Sequence, residues 1–196
     1  MSTWDKKVMV NGRLVKKQIV REYYKNQWKK KSFRNLIKKK GVFVRSYFNG
    51  KSIIQRKNIH INNWNDMEDA IKNHAVEFIT PVQNINAGGI IDIDLPKRLA
   101  PKKKTLTRSV IRKLKSMGIK IKEVNDSPQG AHVFTASSKK ETKKALQLIA
   151  NEDKKHRFHI GKQSKSKIVL DADEPNIAVP GSLSIKGSKY KKWKKY

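Results

Sequence analysis

The chain has 196 residues, with 46 Lys and Arg against 16 Asp and Glu, a formal charge of +30, and no cysteine. Charge of this kind governs association rather than fold, and without a thiol there is no disulfide, thiolate zinc site or cysteine nucleophile. No apolar run approaches membrane-spanning length and the opening MSTWDKKVMV lacks the apolar core of a secretory signal, so a cytoplasmic, nucleoid- or virion-associated protein is expected, not a secreted one.

Residues 1–40 carry 14 basic and 2 acidic side chains. Asn11-Gly12 between short apolar runs could make a hairpin turn. Val15, Ile19 and Tyr23, then Val20, Tyr24 and Trp28, recur at three- to four-residue steps, which predicts one or two helices over 15–40 ending at Gly41. Lys29, Lys30, Lys31 and Arg34 are candidate phosphate contacts on this segment. Its aromatics are expected to pack inward under lysine stems.

Residues 42–48 and 51–61 are β-rich runs flanking Asn49-Gly50, the pair that a type I′ turn favours. One face of this hairpin would hold Phe43, Arg45 and Tyr47 with Ser52, Ile54 and Arg56. Rings and guanidiniums so mixed suit unpaired bases and phosphates. The competing reading buries Phe43, Tyr47 and Ile54 in the core.

Residues 61–95 reverse the sign of the charge, with 1 basic and 6 acidic residues. Asn63 precedes a predicted helix over 64–79, with Met67, Ile71, Ala75 and Phe78 as its stripe. A strand is predicted over 90–95. Asp92 and Asp94 alternate on it, so both carboxylates share a face and could hold Mg²⁺. A metal-dependent nuclease would use such a pair, with Asp66, Glu68, Asp69 and Glu77 in the same acidic block. Charge balance against a basic surface is the plainer explanation.

Residues 96–104 (PKRLAPKKK) read as a basic connector and domain boundary. Thr105 or Thr107 can cap the next helix, which stops at Gly118. Its Arg108, Arg112 and Lys115 lie opposite the apolar stripe and continue Lys102, Lys103 and Lys104 into a basic ridge, a candidate phosphate contact. A strand over 119–124, a turn over 125–130 and a strand over 132–136 follow. The capping box Ser138 to Glu141 opens a helix to about residue 150. Short strands are expected over 157–160 and 167–170. The five histidines, His132 among them, read as structural, and residues 171–175 (DADEP) as a solvated acidic loop.

Residues 181–196 are rich in Gly, Ser and Lys, and such a tail cannot fold alone. Tyr190, Trp193 and Tyr196 alternate with Lys191, Lys192, Lys194 and Lys195. Lysines neutralise phosphates and aromatic faces stack on bases; docking into a protein assembly partner is the other use of such a tail. No P-loop, dinucleotide fingerprint or serine elbow is present.

The reading is therefore an α+β chain with an N-terminal basic helix, a β-hairpin, a C-terminal α-β-β-α-β unit and a disordered basic tail. Its divisions fall at 1–95, 96–104, 105–170 and 171–196. The expected function is non-enzymatic, sequence-tolerant binding of DNA or RNA, without metal, cofactor or membrane, in phage or viral genome packaging or replication. A ribosomal or other ribonucleoprotein role and a nuclease built on Asp92 and Asp94 are the alternatives.

Overall fold

In the computed structural model, which describes residues 2–48, 51–55, 59–85, 87–127, 129–161, 164, 166–173 and 176–185, the N-terminal turn sets the pattern. Strands β1 (Lys7–Val10) and β2 (Arg13–Lys16) pair antiparallel across Asn11 and Gly12, with φ of 52° and 73°. A two-residue hairpin needs positive φ at both positions, and these two residues tolerate it best. The chain then forms α1 (Lys17–Trp28), α2 (Lys31–Ile37), β3 (Phe43–Phe48), β4 (Lys51–Gln55), α3 (Trp64–Lys72) and β5 (Ala75–Pro81). Next come β6 (Gly89–Asp94), α4 (Lys103–Ser116), β7 (Ile121–Asp126), β8 (Gly130–Thr135), α5 (Lys139–Asn151), β9 (Phe158–Ile160), β10 (Ile168–Asp171) and β11 (Asn176–Ala178). The mixed α+β class follows from the sequence as expected.

The chain divides into two compact units, Met1–Ile85 with Asn176–Tyr190, and Asn86–Pro175 with Lys191–Tyr196. The sequence reading keeps β6 with the first region, up to residue 95. In the structure β6 lies at the middle of the second unit's sheet, because both its neighbours come from later in the chain.

The first unit has a four-stranded sheet in the order β11-β5-β3-β4. The helix expected over 64–79 ends at Lys72, and residues 75–81 form a strand instead. His74 sits at φ 69°, which breaks the helix. The segment that follows, Ala75–Pro81, is buried on both faces, so it shows no two-residue alternation that would mark a strand. Tyr24, fully buried, centres the core: its ring meets Phe33 and Phe78, and its hydroxyl donates to the Val76 carbonyl at 2.5 Å and accepts from the Leu183 amide at 2.9 Å. The aromatics of α1 thus pack inward, as read. The start of the basic tail is not free. Leu183 and Ile185 are buried in this core, and the Ser182 hydroxyl accepts from the Phe78 amide at 2.8 Å. The two apolar side chains there are what let residues 181–185 pack where lysines could not.

In the second unit the sheet order is β7-β8-β6-β10-β9, antiparallel except for β9 beside β10. One face is covered by α4 and α5. Val110, Ile111 and Leu114 of α4 and Ala145, Leu146 and Ile149 of α5 pack on Ile91, Ile93, Val133 and Leu170. The Ser138–Glu141 capping box closes the start of α5 as expected. The connector forms a short 3₁₀ helix (Lys97–Lys102), and α4 begins at Lys103 with no side-chain cap. Thr107, expected as a cap, is instead buried on the inner face of α4.

Candidate functional site

The packing of α4 and α5 on one face of the second sheet leaves the alternate residues on the other. On β6 these are Ile90, Asp92 and Asp94, because Ile91 and Ile93 face the helices. The ladder then aligns long-range partners with them. Asp171 of β10 is directly opposite Asp92, and His132 of β8 is opposite Asp92 on the other side. Directly opposed residues share a face. Asn125 of β7, opposite His132, completes a row Asn125–His132–Asp92–Asp171 across four strands. Asp94 lies one step along β6, beside Gly130. A Cβ on Gly130 would fall 1.6 Å from the Ile93 carbonyl oxygen, so only glycine lets β8 approach β6 there.

The electrostatics of this face are unusual for so basic a chain. Burial, then the charge of Asp171, raises the carboxyl of Asp94 above the usual range. Burial pushes the His132 imidazole down to about 4, so it is neutral at pH 7. Its Nε2 stands 3.4 Å from an Asp92 carboxylate oxygen, which makes this a contact of a neutral ring with an anion. Asp171 is 5% exposed and accepts from the Asp173 amide at 2.7 Å. Among the described residues, no Lys or Arg forms an ion pair with Asp94 or Asp171.

Three carboxylates on one face are hard oxygen donors, the set that Mg²⁺ and Mn²⁺ select. Among the described residues no group of three or more His, Asp or Glu is placed so that together they could hold a metal ion. Mg²⁺ does not need such a group, since it binds through one or two carboxylates, water and substrate phosphates. The raised carboxyl of Asp94, due first to burial and then to the charge of Asp171, is in the same direction: a nearby cation favours the charged form of such a carboxylate. Asp92, Asp94 and Asp171 share one face of the sheet and are hard oxygen donors, the chemistry a divalent ion bound through one or two carboxylates requires.

The other acids of the 61–95 block have structural partners. Asp66 closes a capping box with Asn63, Glu68 pairs with Arg21, Asp69 with Lys72, and Glu77 with Arg45 at 2.9 Å. Only Asp92 and Asp94 of that block enter the row. In the sequence Asp171 reads as part of an acidic loop and His132 as an isolated histidine. A signal existed: GIIDID and IVLD are both apolar strands that end in aspartate.

The described phosphate contacts expected from the sequence fall at the α1–α2 junction, on α2 and on β3 of the first unit, and on the start and outer face of α4 in the second. Lys29 and Lys31 are exposed at the α1–α2 junction, Lys30 binds Gln27 at 2.9 Å, and Arg34 donates to the Trp28 carbonyl at 3.2 Å. Arg45 is engaged by Glu77. Lys102, Lys104, Arg108, Arg112 and Lys115 are exposed. Lys103 is not part of that ridge, because its ammonium binds Asp126 at 3.0 Å. The ridge lies on α4, so the sheet separates it from the carboxylate row. Arg56, Tyr190, Lys191, Lys192, Trp193, Lys194, Lys195 and Tyr196 lie outside the described residues.

No protein-family model matches the chain, and no curated protein matches it. Among solved structures it is similar to the polymerase domain of Mycobacterium tuberculosis ligase D in complex with DNA. The TM-score is 0.70 at 13% identity, over 98% of this chain and 85% of that one. This likeness establishes the fold.

Proposed function

We propose that the chain is a polymerase-type nucleotidyl transferase acting on DNA, with Asp92, Asp94 and Asp171 as its metal-holding carboxylates. The observation that carries this reading is their alignment on one face of the sheet in a chain with the fold of a DNA-bound polymerase domain. It departs from the non-enzymatic role expected from charge alone. The basic surface then becomes a way to hold the nucleic acid instead of the whole activity.

In the reaction, the 3′-hydroxyl oxygen of a primer bonds to the α-phosphorus of a nucleoside triphosphate. The bond from that phosphorus to the bridging oxygen breaks, pyrophosphate leaves, and the hydroxyl proton passes to water. A divalent ion on the carboxylates supplies stabilisation of the charge that develops on the phosphoryl oxygens. The chain's own part is placement. The sheet fixes the spacing of Asp92, Asp94 and Asp171, while neutral His132 contacts Asp92 without cancelling the negative charge that attracts the cation. Ile90 and Phe134 are buried on the same face and form its apolar part beside the carboxylates.

The test is incubation of a 5′-labelled primer–template with the four dNTPs and Mg²⁺ or Mn²⁺. Lengthened primers support the reading, with loss on Asp94→Asn. Shortened strands favour the nuclease alternative, and an unchanged primer under both metals contradicts the proposal.

A further inference from the structure

Asn125 is 2% exposed, and neither its amide nitrogen nor its amide oxygen has a hydrogen-bond partner. Among the described residues, no other side chain leaves both of its polar atoms buried in this way. An orphaned buried amide costs a fold more than one good hydrogen bond contributes, so such groups are rare in native folds and call for a partner. The backbone around Asn125 is held on both sides. Val124 before it is locked in the core against the helices, and Asp126 after it is held by Lys103 at 3.0 Å. The Ser127 hydroxyl accepts from the Gly130 amide at 3.0 Å and closes the hairpin beyond. The amide is therefore held on the carboxylate face, beside His132.

Its distance from the carboxylates defines its use. Adjacent strands lie about 4.8 Å apart, so Asn125 on β7 stands about 10 Å from Asp92 on β6. That is too far to touch the reacting phosphorus and within the span of a nucleoside triphosphate bound at the carboxylates. An amide both donates and accepts, which suits a phosphate oxygen on one atom and a hydroxyl on the other.

We infer that Asn125 is a nucleotide-positioning residue, whose amide is satisfied by the part of the incoming nucleoside triphosphate remote from the reacting phosphorus. The inference rests on the nucleotidyl-transferase reading of the carboxylate row. It implies an opposed pair of effects at one position: removing the amide should weaken the nucleotide and strengthen the free protein.

The experiment compares the full-length chain with Asn125→Leu, of similar size, and Asn125→Ala, which adds no atoms. The melting temperature is measured without ligand and the Kd for Mg²⁺-dATP by calorimetry. Asn125→Leu should melt about 3–8 °C higher than the wild type. Both variants should bind Mg²⁺-dATP about 3- to 10-fold more weakly, and in primer extension KM should rise by more than kcat falls. A leucine variant that melts lower than the wild type, or wild-type Kd in both variants, overturns the inference and leaves the transferase reading standing. A wild-type chain that binds no Mg²⁺-dATP overturns both.

Discussion

Each unit holds buried or half-buried acidic side chains on a sheet, and the two treat them in opposite ways. In the first, Glu77 is 1% exposed and receives Arg45 at 2.9 Å. In the second, Asp94 and Asp171 share a face, and burial with mutual repulsion raises Asp94. The chain carries 46 Lys and Arg, yet none of the described ones pairs with either acid. A buried acid with its counter-ion beside it serves the fold. Half-buried Asp94 set beside buried Asp171 costs stability, a cost that the proposed cation would offset.

Substitutions should separate these two kinds of acid. Asp92→Asn or Asp94→Asn should lower primer extension about 10³-fold, measured as initial rate. Asp94→Asn should unfold at a higher urea concentration at pH 7 than the wild type, because it removes the repelled charge. Glu77→Gln should do the reverse, losing about 2 kcal/mol in urea denaturation by stranding a partly buried Arg45, with Mn²⁺ affinity unchanged. A Glu77 variant that lost metal binding would dissolve the distinction.

A smaller effect belongs to the outer surface. Replacing Arg108 and Arg112 together with Gln should reduce the log–log salt slope of duplex binding by about 2, at roughly 0.9 per phosphate contact. An unchanged slope would remove the α4 ridge from the nucleic-acid path. The smallest concerns acid sensitivity. Burial would raise the Asp153 carboxyl, but bonds from the Arg157 side chain and amide outweigh it and hold the group below the usual range. A depressed folded value contributes stability above the unfolded pKa of about 3.9 that is lost as pH falls through the lower folded value. Asp153→Asn should therefore flatten the stability curve below about pH 4, by denaturation midpoint against pH.

Local signals carried much of the fold. The Asn11-Gly12 turn, the Ser138–Glu141 capping box and the apolar stripe of α4 are each written within a few residues. Strand β5 was not legible, because a strand buried on both faces has no alternation and its Ala75 and Phe78 also fit a helical stripe. Half of the site was visible as Asp92 and Asp94, whose two-residue spacing puts them on one face. The other half was not, since Asp171 and His132 join them only through pairing of β6 with β10 and β8. Composition pointed at the exposed lysines, which bear on attraction to a polyanion and not on the carboxylate row. Asn125 looked like a turn residue because it sits next to Asp126-Ser127; the ladder with β8 makes it a strand residue.

The central claim is that the row of Asp92, Asp94 and Asp171 is a divalent-cation site. Mn²⁺ binding followed by the loss of the free-ion electron paramagnetic resonance signal tests it most directly. The wild type should take up Mn²⁺ in competition with Mg²⁺, and Asp94→Asn and Asp171→Asn should each weaken that uptake at least about tenfold. Equal uptake by all three proteins, or none by the wild type, would contradict it.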